Sequence, residues 1–186
     1  LSTLAALSLA VSARSIAPAP PSLATPPAAS ALASAAAPQL RHAQAAALLA
    51  QLRSDLVDLR THLTQMRLLV IKSLNGLLSQ VERLALDAEF QQHLFQLQQL
   101  ALASQSSGVP LLDGSQPSVQ LQIDPSLPQL LTLWLPDCTP MSLGIDWLDV
   151  TSTANAASAH VACDAALDVA ESSLAATRAA ALALGL

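Results

Sequence analysis

The sequence predicts a mainly α protein, a long antiparallel coiled-coil-like helical bundle with a small β-hairpin. Apolar residues between Leu49 and Ala101 recur at alternating steps of three and four, the spacing that keeps them on one side of a long helix. Asn75-Gly76 is the only strong breaker in this stretch. Hydrophobic residues are 52% of the chain and aromatic residues only 2%, so Leu and Ala must fill the core, which suits close-packed helices. The predicted core seam of the first helix consists of Leu49, Leu52, Leu56, Leu59, Leu63, Met66 and Val70.

Residues 1–38 are predicted to form an amino-terminal helix and a linker. Apolar side chains share one face of a helix over Leu1–Ile16. Six prolines follow, the last being Pro38, and proline clashes inside a helix, so this part is expected to be extended. A second interpretation of Leu4–Ala13 is the end of a secretory signal, although no basic stretch precedes it.

Residues 39–103 are predicted to form the amino-terminal core helices. The apolar spacing predicts one helix over Gln39–Leu74, about 54 Å long, and Pro38 stands at a position where helices begin. The second helix is Ser79–Leu102, in which Ser79 and a glutamate three residues later make a capping box.

Residues 104–150 are predicted to hold a loop and the β-hairpin. Val119–Ile123 alternates polar and apolar residues like a half-buried strand, and Leu130–Leu135 can pair with it. Trp134 and Trp147 bracket the end of this hairpin. We expect them to cover its apolar face in preference to binding a ligand.

Residues 151–186 are predicted to form a carboxy-terminal helix, Thr151–Leu184, that packs on the core. Its apolar steps of three and four are the natural partner of the seam in the first helix. These positions are Cys163, Leu167, Ala170, Leu174, Thr177, Ala181 and Leu184.

Composition and charge argue against several classes of function. Charged residues are only 11% of the chain, which predicts either a surface buried against other copies or poor solubility. The net charge is −5 and the eight basic residues are scattered, so nucleic acid is not an expected partner. No run of eighteen apolar residues indicates a membrane span.

No catalytic, metal or cofactor site is predicted. The four histidines form no H-E-x-x-H or i, i+4 pair, and the sequence has no glycine-rich phosphate loop and no Gly-x-Ser-x-Gly elbow. Cys138 and Cys163 make no zinc pattern and are interpreted as buried thiols, with a disulfide as the alternative. We therefore expect that the protein is not an enzyme.

A row of basic residues on the first helix is the candidate contact site. A solvated helix face and a contact between subunits explain the row equally well. Arg67 has no carboxylate at i±3 or i±4 and is expected to act between subunits and not within one. The row consists of Arg53, Arg60, Arg67 and Lys72.

Four motifs resemble bacterial flagellin, in its order and at its spacing. They are Leu63-Thr-Gln-Met-Arg67, Ser73-Leu-Asn-Gly76, Leu86-Asp-Ala-Glu-Phe-Gln-Gln92 and Leu111-Leu-Asp-Gly-Ser115. Leu148-Asp-Val-Thr151 and Asp164-Ala-Ala-Leu167 resemble the carboxy-terminal helix of that family. The similarity runs from about residue 40 to residue 185, whereas the proline-rich linker and the two cysteines depart from the family.

The resemblance implies a structural subunit that polymerises into the bacterial flagellar filament for motility. It also implies that residues 1–38 belong to the inner filament layer and that the chain is secreted unfolded. The implied partners are other copies of itself, an export chaperone, the flagellar export apparatus, and the filament cap and junction proteins. A Toll-like receptor binds the flagellin surface around Arg67, but Leu68 and Gln96 replace the expected acidic residues, which argues against recognition here.

Two other functions fit parts of the sequence. A hook–filament junction protein shares the terminal helices, but the Asp-Ala-Glu run and the Leu-Leu-Asp-Gly-Ser turn favour flagellin. An amphipathic lipid-surface-binding protein would need helices with Lys- and Arg-rich polar faces, and these helices are poor in Lys.

Overall fold

A computed structural model describes residues 39–122 and 129–186, and this part of the chain contains three helices and two small sheets. The mainly α class with a small β-hairpin is confirmed. The helix and linker expected before residue 39 lie outside the described residues. The helices are α1 (His42–Ser73), α2 (Gln80–Ala103) and α3 (Thr153–Ala183). The strands are β1 (Gln39–Leu40), β2 (Gln105–Ser106), β3 (Val109–Pro110), β4 (Ser118–Gln122) and β5 (Leu130–Trp134).

The α1 helix is the centre of the bundle, because it packs against both α2 and α3. All seven residues of its predicted core seam are buried, none with more than 3% of its surface exposed. Phe90, Leu94 and Leu97 of α2 are also buried in this core. Both neighbours run antiparallel to α1. The buried apolar residues of the three helices belong to one hydrophobic core.

The α3 helix presents small residues to α1. Five of its eight buried residues are alanines, which lets the two helix backbones approach closely. Leu174 is buried as well, whereas Leu167 and Ala181 are half-buried at the edge of the contact. The predicted seam is therefore displaced by one residue at these two positions, where Ala166 and Ala180 take the central place.

Polar contacts join the end of α1 to α2 and to the segment that precedes α3. Ser79 caps α2 through the predicted capping box, which is confirmed. The buried guanidinium of Arg83 donates from Nη1 to the Ser73 carbonyl (2.5 Å) and from Nη2 to the Asn75 carbonyl (2.8 Å), so a positive charge closes the carboxyl end of α1. Ser73 Oγ in turn donates to the Val150 carbonyl (2.6 Å), and the Val150 N–H donates to Asp87 (2.9 Å).

The predicted start of the first helix is wrong by three residues. Gln39 and Leu40 form β1, which pairs in parallel with Gln120 and Leu121 of β4. The helix begins only at His42, after Arg41 in extended conformation. A parallel partner some 80 residues away leaves no local signal in the sequence, and the position after a proline also favours a helix start.

The predicted β-hairpin is confirmed as β4 and β5, paired antiparallel from Ser118↔Trp134 to Gln122↔Leu130. Ile123, the predicted last residue of the first strand, lies outside the described residues. The expected role of the tryptophans is wrong, since Trp134 is 62% and Trp147 71% exposed. Side chains alternate along a strand, so burial of Leu133 directs Trp134 outward.

Two aspartate turns meet beside the hairpin. Asp113 Oδ1 accepts from the Ser115 N–H (3.0 Å), and Asp137 Oδ1 accepts in the same way from the Thr139 N–H (3.0 Å). The two turns form an antiparallel bridge between Asp113 and Asp137. Gly114 has φ +74°, and a Cβ there would lie 2.6 Å from Asp137 Cγ. The Leu-Leu-Asp-Gly-Ser motif therefore needs glycine for two independent reasons.

We predict that Gly114→Ala lowers the free energy of unfolding by about 1 kcal/mol or more, since the left-handed conformation alone costs about 1–2 kcal/mol. Chemical denaturation followed by circular dichroism measures this change. Gly76→Ala is the matched control, because no atom lies within 4 Å of its added Cβ and its φ is outside the left-handed region. Equal stabilities of the two variants would contradict the role assigned to Gly114.

Candidate subunit-contact surface

The predicted basic row is a line of three arginines. Arg53, Arg60 and Arg67 are spaced by seven residues, so each is rotated by only about 20° from the last along α1. Lys72 lies five residues beyond Arg67, about 140° further around the helix. Lys72 therefore does not share the face of the three arginines.

Arg67 has a partner within the chain. Its Nε donates to Asp164 Oδ1 of α3 at 2.5 Å, and His160 Nδ1 lies 3.2 Å from Asp164 Oδ2. The prediction that Arg67 lacks an intramolecular partner is therefore wrong. Asp164 is 97 residues away, so an inspection of local i±3 and i±4 positions does not find it. The Arg67 and Asp164 side chains are 41% and 42% exposed, which makes this a surface ion pair that joins α1 to α3.

The other two arginines form no ion pair among residues 39–122 and 129–186. Seven residues separate Asp164 from Glu171 and Glu171 from Arg178, so in the antiparallel pair Arg60 is level with Glu171 and Arg53 with Arg178. Arg53 and Arg178 line the same groove between α1 and α3. Arg53 is thus an exposed cation beside a second cation.

A groove with an acidic rim lies at the opposite end of α1. Its volume is about 590 Å³. Glu82 and Glu89 stand on its α2 side, and hydrogen bonds from the Ser79 side chain and backbone lower the pKa of Glu82, so this carboxylate stays charged. The loop beside the groove exposes Leu77 at 93% of its surface and α2 exposes Val81 at 76%. The residues lining the groove are Ile71, Lys72, Asn75, Leu78, Glu82, Ala85, Leu86 and Glu89.

Large apolar side chains are also exposed elsewhere on the surface. Phe95 on α2 is 63% exposed, Val161 on α3 is 70% exposed and Met141 is 79% exposed. Single exposed apolar residues are ordinary on monomeric proteins, but contiguous groups of them mark interaction sites. Six exposed apolar residues are close in sequence at the α1–α2 end of the bundle: Leu68, Ile71, Leu74, Leu77, Val81 and Leu84.

Two histidines that are far apart in sequence meet between α1 and α2. His62 Nδ1 and His93 Nδ1 are 3.2 Å apart, with ring centroids at 5.5 Å. One ring donates and the other accepts, so at least one Nδ1 must be unprotonated. Burial lowers the pKa of His62, the neighbouring His93 lowers it further, and Asp58 raises it. No spacing in the sequence indicates this pair, because the two residues lie on different helices.

No group of three or more His, Cys, Asp or Glu in the described part of the chain is placed to hold a metal ion. Both cysteines are free and buried, and burial raises the pKa of Cys138 to about 12 and that of Cys163 to about 11. These thiols are held in the protonated, unreactive form. No described helix is both long and apolar enough to cross a membrane.

Comparisons with known proteins identify the fold. No family model matches the chain, and no curated protein matches it. Among solved structures, the crystal structure of Bacillus cereus flagellin matches with a TM-score of 0.70 and 21% sequence identity. The match covers 77% of this chain and 84% of that chain. The chain therefore has a flagellin-like fold.

For the Arg67 contact, we predict a favourable coupling energy of up to about 1 kcal/mol between Arg67 and Asp164. A double-mutant cycle of Arg67→Ala and Asp164→Ala, measured by chemical denaturation, gives this quantity. The same cycle with Arg60→Ala and Asp164→Ala is the control, and its coupling should be close to zero. A zero coupling in the first cycle would contradict a stabilising role for the ion pair.

For the histidine pair, we predict a loss of stability as the pH falls below about 6.5. His62 has a lower pKa in the folded chain than its ordinary 6.5, so the unfolded chain binds its proton more readily. The contribution of neutral His62 to the free energy of unfolding is complete above pH 6.5. It is lost as the pH falls from 6.5 through the lower pKa of the folded chain. Denaturation between pH 8 and pH 5 should show a smaller pH dependence of the free energy of unfolding in His62→Gln/His93→Gln than in the parent. An unchanged pH dependence in the double variant would contradict this account.

Proposed function

We propose that this chain is a structural subunit that polymerises into a bacterial flagellar filament. The observation that carries the proposal is the similarity of its fold to Bacillus cereus flagellin over 77% of the chain. The group of exposed apolar residues at the α1–α2 end supports it, because such a group is costly on a monomer and is explained by contacts between copies. The mechanism is mechanical: the bundle supplies a rigid body, and head-to-tail contacts repeat it in a helical array.

The further parts of the proposal follow from the same role. Such a subunit is secreted, assembles outside the cell and has no catalytic function. It is handled on the way by an export chaperone and the flagellar export apparatus, and it meets the cap and junction proteins at the filament ends. Residues 1–38 are assigned to the inner filament layer. We do not include a Toll-like receptor among the partners, because the acidic residues expected at positions 68 and 96 are absent.

Electron microscopy of the purified protein tests this function. We expect long filaments of uniform diameter above a critical concentration, and monomers below it. Short rings or stubs that do not elongate would favour a hook–filament junction protein. A parallel sample with anionic lipid vesicles tests the other alternative, since a lipid-binding protein would coat the vesicles and form no filaments. Monomers at every concentration would contradict the proposal.

A further inference from the structure

The free arginines of α1 and the acidic rim of the groove are complementary. We propose that Arg53 and Arg60 of one copy dock on Glu89 and Glu82 of the next copy. This inference rests on the proposed function, because it requires copies of the chain to associate. The proposal names two contact surfaces, one towards each end of the bundle, and the charged side chains that join these surfaces between copies.

The spacing of the two pairs is the first argument. Arg53 and Arg60 are seven residues apart on α1, and Glu82 and Glu89 are seven residues apart on α2. Seven residues of helix span about 10.5 Å and return to nearly the same face. Two helices laid side by side can therefore form both ion pairs at once.

The availability of the four side chains is the second argument. Arg53 and Glu89 have no hydrogen bond or ion pair among the described residues, and Arg60 accepts a bond only through its backbone carbonyl. Glu82 uses Oε2 for the Ser79 cap, which leaves Oε1 for a partner. Arg67 is different, because it already forms an ion pair with Asp164 in the same chain. The intramolecular pair thus removes the third arginine of the row from this surface.

The positions of the side chains along the bundle are the third argument. Within one copy, Arg53 is too far from Glu89, and Arg60 is too far from Glu82, to form these ion pairs. The His62–His93 contact shows which residues of α1 and α2 lie side by side. In this antiparallel register, Glu89 is opposite about position 66 of α1, and Glu82 is opposite about position 73. Along α1, Glu89 therefore lies about 20 Å from Arg53, and Glu82 lies about 20 Å from Arg60. A second copy in the same orientation, displaced by about 20 Å, brings Arg53 to Glu89 and Arg60 to Glu82.

Apolar surface accompanies the charges. Val57 lies between the two arginines and is half-buried, and the floor of the groove contains Leu78 and Leu86. Ile71, which is 43% exposed, also lines the groove. Because each copy carries both surfaces at different ends, the contact is head-to-tail and does not close on itself.

Two charge variants test this contact. The first, Arg53→Glu/Arg60→Glu, makes the α1 row acidic. The second, Glu82→Gln/Glu89→Lys, changes the rim, and glutamine at position 82 keeps the capping box. Asp146→Lys is the matched control, since Asp146 is exposed and lies outside the groove. Circular dichroism checks the fold of each variant, and Glu89→Lys alone replaces the second variant if that one is unfolded.

Sedimentation of each purified protein, alone and mixed, gives the critical concentration for assembly. Each charge variant alone should raise it by about tenfold or more, which corresponds to about 1.4 kcal/mol per contact. The equimolar mixture should recover assembly, because the native rim of the first variant meets the native row of the second. The two altered surfaces regain one of their two charge pairs, the one between positions 53 and 89. The control should assemble like the parent.

The outcomes separate this contact from the proposed function. If the parent assembles and both charge variants assemble equally well, the contact is wrong and the function stands. If both variants fail and the mixture also fails, charge complementarity is not what joins the copies, and the contact is again wrong. If the parent itself does not associate at any concentration, both proposals are overturned.

Discussion

The other elements of the structure depend on one constraint, the burial of the apolar stripe of α1. Two helices, α2 and α3, cover this stripe. α2 and α3 both pack on this helix, and its seven seam residues are almost completely inaccessible to solvent. A single long helix with such a stripe is not stable alone, because most helical stability in proteins comes from packing. We therefore expect the bundle to unfold as one cooperative unit, in which each outer helix needs the central one.

Polar interactions then determine how the helices are joined and which charges remain available. Arg83 and Asp87 hold the end of α1 and the start of the segment leading to α3. Arg83 is buried and Asp87 is half-buried, and loss of either side chain would leave its partners without a donor or an acceptor. The Arg67–Asp164 pair uses one exposed charge in the same way. The remaining charges include Arg53 and Arg60 at one level of α1, and Glu82 and Glu89 on α2 at another level, where Lys72 also lines the groove. The proposed contact between copies uses the two arginines and the two glutamates.

The sequence predicted the parts of this structure that depend on local periodicity and turn chemistry. The seam of α1, the capping box at Ser79 and the β4–β5 hairpin have their signals within a few residues. Features made by distant residues were missed or wrong: the β1 strand, the Arg67 partner and the His62–His93 pair each join segments between 31 and 97 residues apart. The prediction for Trp134 was wrong for another reason. Its aromatic character predicts burial, whereas the alternation of side chains along the strand directs it to solvent.

Amide hydrogen exchange of the parent and Leu63→Ala tests most directly whether the α1 seam supports the whole bundle. Leu63 is fully buried, so its truncation should cost about 2–5 kcal/mol. We predict that the slowest-exchanging amides of α1, α2, α3 and the hairpin all lose protection by the same free energy, because they open together. Leu68→Ala, at a position 45% exposed on the same helix, should leave protection nearly unchanged. Loss of protection confined to α1, with α2 and α3 unaffected, would contradict the account.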